Sequence, residues 1–196
     1  MGKISLGPGT LLYPMPAFLV GANVNGKANV LTAAWGGIAC GEPPMVSLAI
    51  RPIRYTFKGI QQNGTFSVNV PSQEMAVKTD YCGIVSGAKA DKITVCGYTI
   101  FYGKLLNAPM IKECPVNLEC KVSQVLTLGS HALIIGEVVE THVSEECFTD
   151  GRPDVLKIRP LTYSPGSSVY QALGEILAPA FKAGRILKSS GRQIVE

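Results

Sequence analysis

The fold is decided by one stretch of the sequence, residues 26–69, which is GKANVLTAAWGGIACGEPPMVSLAIRPIRYTFKGIQQNGTFSVN. It predicts, in order, a strand, a loop of small residues, a second strand, a basic loop, a short helix and a third strand. Glycine and alanine in the loop Ala33–Gly37 let backbone amides come close to a ligand. We therefore expect a flat heterocyclic ring beside Asn29–Thr32, contacted mainly by the backbone of these residues.

The basic loop that follows the second strand predicts an anion site. Its sequence, RPIRYT over residues 51–56, places two guanidinium groups and a hydroxyl just before the start of a helix. A helix N-terminus with an arginine fork is a typical phosphate site. Arg54 and Thr56, helped by Arg51, are the phosphate candidates. The alternative is a pair of ordinary solvent-exposed loop arginines.

Trp35 is the only tryptophan of the chain and lies in the small-residue loop. Its indole would pack at the periphery of a bound ring or form a hydrogen bond there. An isolated aromatic residue between glycines and alanines is equally typical of a plug in the hydrophobic core. Both interpretations remain open at this point.

Strand signals dominate the chain around this stretch. Asn25-Gly26 is a strong hairpin dipeptide and predicts a tight turn before Lys27–Thr32. The nearly continuous apolar run Met45–Ile50 predicts a strand that is buried on both faces. Val116–Leu128 and Ala132–Val143 predict two long strands joined at residues 129–131, and strands of this length usually curl into a barrel.

Two helices are predicted between these strands. Thr56–Gln62 forms a short helix that ends at Asn63-Gly64. A second helix begins at Pro71 with Ser72 as its N-cap and extends to about Cys82. The segment Gly83–Lys92 that follows is polar, and its composition is equally typical of a surface linker.

Several of these segments together resemble the flavin reductase family with the FMN-binding split barrel, and most closely its flavoredoxin branch. The resemblance covers about residues 14–174. The matching segments are GKANVLTAAWGG, RPIRYTFKGI, FSVNVP, CGIVSGAKADK, LGSHALIIGEVVE and YQALG. The resemblance implies a mainly β fold, a split β-barrel with a few short flanking helices. It also implies an FMN protein, usually a homodimer, that takes a hydride from NADH or NADPH or relays electrons.

The same resemblance implies roles for individual residues. The loop containing Ser86 delivers Lys92 to the flavin, where a cation would favour the reduced cofactor. His131 corresponds to a histidine that contacts flavin or nicotinamide, although a histidine at the start of an apolar strand is more often structural. Ser164 falls in a late segment near the flavin and would contribute only its backbone. The catalytic candidates are thus His131 and Lys92, and the cofactor-binding candidates are Asn29, Val30, Leu31, Thr32, Trp35, Arg51, Arg54, Tyr55, Thr56, Ser86, Lys92, His131 and Ser164.

Composition limits the remaining functional classes. The 196 residues, 46% of them hydrophobic, suffice for one domain, which we place at residues 1–183 with a loose basic tail at 184–196. The net charge of +4 is scattered, so a nucleic-acid partner is not expected. No apolar run is long enough to cross a membrane, and the N-terminus lacks a signal-peptide core, so we expect a cytoplasmic protein.

The six cysteines are spaced irregularly and include no CxxC pair. They predict reduced, mostly buried thiols rather than a zinc ribbon or a redox dithiol. Cys40 and Cys82 flank the predicted ligand segments, so a redox or metal role for these two remains open. With only His131 and His142 available, no metal site is predicted.

The function predicted from these features is that of an NAD(P)H:flavin oxidoreductase, with a redox protein or free flavin as electron acceptor. One alternative is an FMN electron carrier without a nicotinamide site. A second is an oxidase on the same split barrel that acts on a pyridoxal-type phosphate. An oligonucleotide-binding barrel would need exposed aromatic platforms on a basic groove, which this sequence does not indicate. The lack of a GxGxxG turn also argues against a separate Rossmann domain.

Overall fold

The computed structural model describes residues 2–189 and is dominated by antiparallel strands. The strands are β1 (Met15–Pro16), β2 (Phe18–Val24), β3 (Lys27–Ala33), β4 (Gly36–Gly41), β5 (Pro44–Ile50), β6 (Thr65–Val70), β7 (Ile100–Phe101), β8 (Met110–Ile111), β9 (Val116–Leu128), β10 (His131–Val143), β11 (Phe148–Thr149), β12 (Arg152–Pro153), β13 (Thr162–Ser164) and β14 (Val169–Gln171). The helices are α1 (Tyr55–Asn63), α2 (Ala76–Ile84), α3 (Lys92–Cys96), α4 (Val155–Ile158) and α5 (Arg185–Ser189), with 3-10 turns at Gln73–Met75 and Glu145–Cys147.

Seven strands form the main sheet in the order β3-β2-β6-β9-β10-β5-β4. The hairpin β2–β3 turns at Asn25 and Gly26, whose φ angles are 51° and 77°. Two successive positive φ angles are the mark of the type I′ hairpin turn, so the predicted tight turn is confirmed. The curled sheet brings β3 close to β5 although the two strands are not hydrogen-bonded neighbours.

The long hairpin β9–β10 supplies the back of the sheet, with 13 residues in each strand. Both predicted long strands are therefore confirmed, although His131 pairs with Leu128 as the first residue of β10 instead of belonging to the turn. A register shift occurs beside Gly136, where an added Cβ would lie 2.4 Å from Cζ of Phe66. The bulge and the missing side chain let the hairpin bend over the core.

The prediction that Met45–Ile50 is buried on both faces is wrong. Only Val46, Leu48 and Ile50 point into the core, and the residues between them are half-buried. The reason is that β5 belongs to an antiparallel sheet with a single core on one side, which gives the period-two pattern of such sheets. The other face of β5 remains open to a cavity described below.

The second helix was predicted to begin at Pro71, but α2 begins at Ala76. Residues Gln73–Met75 form a 3-10 turn before α2, and the Ser72 side chain makes no capping hydrogen bond. The backbone of Ser72 forms an isolated bridge with Pro160, and the N–H of Gln73 donates to the Arg159 carbonyl. This pairing satisfies one of the backbone N–H groups that the start of a helix leaves unpaired. By contrast, α1 matches its prediction and ends at Gly64 with φ 63°.

Two further observations concern the ends and the surface of the chain. The predicted tail 184–196 includes the short helix α5, and its last part, residues 190–196, lies outside the described residues. Within residues 2–189, no helix is long and apolar enough to cross a membrane.

Five of the six cysteines are buried free thiols, as predicted, whereas Cys40 is partly exposed.

A carboxylate lies fully buried in the centre of β9. Glu119 Oε1 is 2.7 Å from His142 Nε2, and its Oε2 accepts a hydrogen bond of 2.7 Å from the Leu105 N–H. Burial alone would raise the pKa of this carboxyl, but these hydrogen bonds outweigh burial and hold the pKa below its usual range. The charged form of Glu119 therefore stabilises the fold.

We predict that Glu119 makes the free energy of unfolding depend on pH in the acidic range. A carboxyl with a lowered folded-state pKa contributes stability above its unfolded pKa, and the contribution is lost as pH falls through the folded value. Between about pH 6 and about pH 3, the free energy of unfolding should fall more steeply for wild type than for Glu119→Gln. At neutral pH, Glu119→Gln should cost about 1–3 kcal/mol. Urea titrations at several pH values measure both effects.

Glu137→Gln is the matched control, because Glu137 is an exposed carboxylate on the neighbouring strand β10. It should leave the acid dependence close to that of wild type. Equal pH slopes for wild type and Glu119→Gln would contradict the stabilising role of the buried carboxylate.

Candidate functional site

Two adjoining cavities open where β3 faces β5 and α2. Their volumes are about 350 and about 290 Å³. Leu31, Arg51 and Arg54 line both, so the two cavities form one elongated site. Volumes of this size are typical of sites for small organic ligands.

The larger cavity has an apolar floor of small and aliphatic residues. Leu31 and Ala33 come from β3, Ala49 and Ile50 from β5, and Ala34 from the loop between β3 and β4. The short side chains of the alanines leave space beside the backbone. The mouth carries polar groups, including the carboxylate of Asp80 and the hydroxyls of Tyr163, Ser168 and Tyr170. A planar ring with polar substituents suits this arrangement.

Trp35 and His131 form a stacked pair at the rim of the larger cavity. Their ring centroids are 4.6 Å apart and their planes differ by 24°. The hydroxyl of Ser130 lies 2.8 Å from His131 Nδ1 and helps to fix the imidazole. Because Trp35 is 38% exposed and lines the cavity, it is not a core plug. The pair offers an aromatic edge to a ligand.

The smaller cavity is lined by cations and hydroxyls at the N-terminus of α1. Arg54 is the N-cap residue of this helix, and Arg51, Thr56, Ser86 and Lys92 line the same space. The helix N-terminus and the nearby cations both favour negative charge. The arrangement is that of an anion site.

Backbone carbonyls at the end of α2 hold two of these cations in place. Arg54 Nη1 donates to the Gly83 carbonyl, and Lys92 Nζ donates to the Cys82 carbonyl, both at 3.0 Å. The last carbonyls of a helix have no partner within the helix, so cations suit them well. Lys92 is only 3% exposed, so it is not a surface lysine, whereas Ile84, Ala88, Lys89 and Asp91 of the same segment are exposed.

Burial lowers the pKa of Lys92, and the nearby Arg54 guanidinium lowers it further, although the Cys82 thiol acts in the opposite direction. An anion in the cavity would favour the charged ammonium. Burial also raises the pKa of Cys82 to about 12, so this thiol is protonated at neutral pH. Its Sγ lies 3.9 Å from Sγ of Cys96. Within residues 2–189, no cluster of three or more metal-ligating side chains is found.

Most of the predicted site residues line one of the two cavities. Those at the larger cavity are Leu31, Thr32, Trp35, Arg51, Arg54 and His131. Those at the smaller cavity are Leu31, Arg51, Arg54, Tyr55, Thr56, Ser86 and Lys92. Contact of each with a cofactor stays a prediction.

Asn29, Val30 and Ser164 line neither cavity. Val30 is fully buried on the opposite face of β3, as the alternation of a strand requires. The amide of Asn29 donates to Thr56 Oγ1 at 2.8 Å, and the hydroxyl of Ser164 bonds to Gln171. Backbone contact by these three residues stays a prediction.

Several residues that line the two cavities were not predicted from the sequence. Asp80, Gly83 and Ile84 lie on one face of α2 and line the larger cavity. Their i, i+3, i+4 spacing could have revealed a shared helix face. An added Cβ at Gly83 would lie 3.2 Å from Cβ of Thr32, so the glycine permits the close approach of α2 to β3. For Tyr163 and Tyr170, no local sequence signal exists, because the pairing of β13 with β14 brings them together.

Comparison with known proteins gives a consistent picture. The family model described as flavin reductase like domain matches residues 10–171. Flavoredoxin from Methanosarcina acetivorans is 40% identical, with a TM-score of 0.91 over 95% of this chain and all of that chain. Flavoredoxin of Desulfovibrio vulgaris (Miyazaki F) is 39% identical, with a TM-score of 0.88 over 93% of this chain and all of that chain.

A more distant similarity is found to the FMN-binding protein from Thermus thermophilus with bound 1-cyclohex-2-enone. It is 25% identical, with a TM-score of 0.77 over 91% of this chain and 99% of that chain. The high TM-scores of all three structures confirm the predicted fold class, a mainly β split barrel with short flanking helices.

We predict that the smaller cavity binds phosphate through Arg54. Inorganic phosphate should raise the thermal midpoint of wild type, because a ligand of the folded state stabilises it by mass action. Arg54→Ala should weaken phosphate binding by about 1–3 kcal/mol, the scale of hydrogen bonds to charged groups. Thermal unfolding at increasing phosphate concentration measures the change.

Arg152→Ala is the control, since it removes the same charge from an exposed position in β12. Phosphate should still stabilise this variant. A phosphate response in Arg54→Ala as large as in wild type would place the anion elsewhere.

Proposed function

This chain belongs to the flavin reductase like domain family, and from that premise we propose that it is an FMN flavoprotein that transfers electrons from NADH or NADPH to a downstream acceptor. The family predicted from the sequence is thereby confirmed. The acceptor in this function is a redox protein or free flavin. The supporting observation is that a cavity with an apolar floor adjoins a cation-lined cavity and shares Leu31, Arg51 and Arg54 with it.

The residues of the site fit FMN, whose parts differ sharply in polarity. The small side chains of the larger cavity suit a planar ring, and its volume of about 350 Å³ is of the right order. Two guanidinium groups, one ammonium and three hydroxyl-bearing side chains line the smaller cavity and suit a phosphate dianion. Gly87 also lines this cavity, and an added Cβ there would lie 2.1 Å from Asn29 Oδ1.

Each part of the site has a defined task in this function. FMN, when bound, supplies the electron chemistry by accepting a hydride and passing electrons onward. Arg51, Arg54 and Thr56 would hold the phosphate, and Lys92 would place a positive charge beside the cofactor. His131, stacked on Trp35 at the rim, would seat the nicotinamide ring. Orientation by these residues suffices for hydride transfer, so no general base is required.

We also propose a homodimer with a site near each end of the interface. Val125, Leu126 and Leu128 at the tip of the β9–β10 hairpin are 45%, 47% and 55% exposed. Leu128 pairs with His131, so this apolar tip adjoins the cavity rim. A second copy would bury the tip and help to close the larger cavity. The apolar run Ala132–Val139 and residues 170–174 would supply further surface to this interface.

A cytoplasmic location belongs to this function as well. Both nicotinamide donors are available there, and free thiols such as the five buried cysteines are typical of that compartment.

We predict that purified protein binds FMN and that NADH or NADPH bleaches its flavin absorbance in the absence of oxygen. His131→Ala should slow this reduction and raise the apparent binding constant of the nicotinamide donor, because the stacked rim is lost. Reduction by dithionite, which needs no donor site, should change little. Stopped-flow spectroscopy measures both rates.

His142→Gln serves as the control, because the other histidine bonds to Glu119 instead of lining a cavity, and glutamine retains a donor. If His131→Ala slows flavin reduction by dithionite and by NADH equally, His131 does not seat the nicotinamide. Sluggish reduction of wild type by both nicotinamides would favour the alternative, an electron carrier without a nicotinamide site.

Sedimentation tests the assembly. Wild type should sediment with twice the mass of one chain, and Leu126→Asp should shift the equilibrium toward monomer because a charge would be buried at the interface. Leu106→Asp, at an exposed leucine between β7 and β8, is the matched control and should remain dimeric. A wild-type monomer with full FMN affinity would contradict the dimer.

A further inference from the structure

Thr56 lines the smaller cavity although its residue is only 1% exposed. It is the second residue of α1, whose N-cap residue is Arg54. Its Oγ1 accepts a hydrogen bond of 2.8 Å from Nδ2 of Asn29. Among the described residues, no group accepts the hydroxyl hydrogen of Thr56.

A threonine hydroxyl has one hydrogen to donate and two lone pairs to accept with. Asn29 occupies a lone pair and so orients the hydroxyl while leaving its hydrogen available. We propose that Asn29 is a positioning residue that fixes Thr56 as a hydrogen-bond donor to the cofactor phosphate. This inference rests on the proposed function and adds a source of selectivity for FMN over riboflavin, which lacks the phosphate.

The Asn29 amide is held firmly enough to act in this way. The residue is 6% exposed on β3, and Gly87 packs directly against its side chain. An added Cβ at Gly87 would lie 2.1 Å from Asn29 Oδ1 and 2.7 Å from Nδ2. The amide thus lies between Gly87 and Thr56, in contact with the first and hydrogen-bonded to the second.

Asn29 and Thr56 supply what the neighbouring cations do not. Arg54 and Lys92 attract any anion, because Coulomb attraction depends on charge and distance and only weakly on direction. A hydrogen bond weakens steeply when its angle is poor. A buried donor in a fixed orientation therefore selects a phosphate at one place in the cavity.

Flavin binding to flavin-free protein tests the inference without any turnover. The dissociation constants of FMN and riboflavin are measured by quenching of flavin fluorescence for wild type, Asn29→Ala, Thr56→Val and the double variant. Asn29→Ala should weaken FMN about tenfold, the scale of one hydrogen bond to a charged group, and leave riboflavin unchanged. In the Thr56→Val background, Asn29→Ala should cause no further loss of FMN affinity. Thr56→Ser should retain most of the preference for FMN.

Asn23→Ala is the matched control. Asn23 is a buried amide on the adjacent strand β2, and it bonds to the Tyr102 hydroxyl and the Leu106 carbonyl instead of lining a cavity. This variant should lower the thermal midpoint without changing the ratio of FMN to riboflavin affinity. If Asn29→Ala does not fold, Asn29→Asp replaces the amide donor by an acceptor of the same shape and should lower the ratio as well.

Three results would overturn the positioning role of Asn29 while leaving the proposed function intact. They are an unchanged ratio in Asn29→Ala, an equal loss of FMN and riboflavin affinity, and tighter FMN binding. Tighter binding would mean that the amide oxygen had faced Thr56 and consumed its hydrogen. Failure of wild type to bind either flavin would instead overturn the proposed function, and this inference with it.

Discussion

The site depends on two cations that are held by the end of one helix. Arg54 and Lys92 donate to the carbonyls of Gly83 and Cys82, which lie in the last turn of α2. The helix gains partners for carbonyls that its own ladder leaves unpaired, and the cations gain fixed positions. Because Asp80, Gly83 and Ile84 from the same helix line the larger cavity, α2 sets the geometry of both cavities.

The cavities exist because the curled sheet does not close between β3 and β5. The Ala49 N–H donates to the Trp35 carbonyl at 2.7 Å, which extends the pairing of β4 with β5 to the cavity floor. Small residues on both sides keep the space open, and Gly83 lets α2 cover it closely. A side chain of ordinary size at these positions would fill the space that a planar ligand needs.

The parts of the structure that the sequence predicted are those with local causes. The turn at Asn25-Gly26 and the helix start after Arg54 depend on residues adjacent in the chain, and both were correctly placed. The burial of Met45–Ile50 and the participation of Tyr163 depend on which strands become neighbours. The side-chain bond from Asn29 to Thr56 spans 27 residues and has no pattern in the sequence. Only the assembled barrel reveals it.

An anion in the smaller cavity would couple the stability of the fold to the occupancy of the site through the buried Lys92 and the exposed Arg54. Without an anion, Lys92 is a desolvated ammonium whose pKa is lowered by burial and by Arg54. A phosphate dianion beside it favours its charged form and relieves the repulsion between the two cations. Binding to the folded state alone shifts the folding equilibrium by mass action. A ligand in the smaller cavity would therefore stabilise the segment from the end of α2 to the start of α3, which carries Gly87 and Lys92.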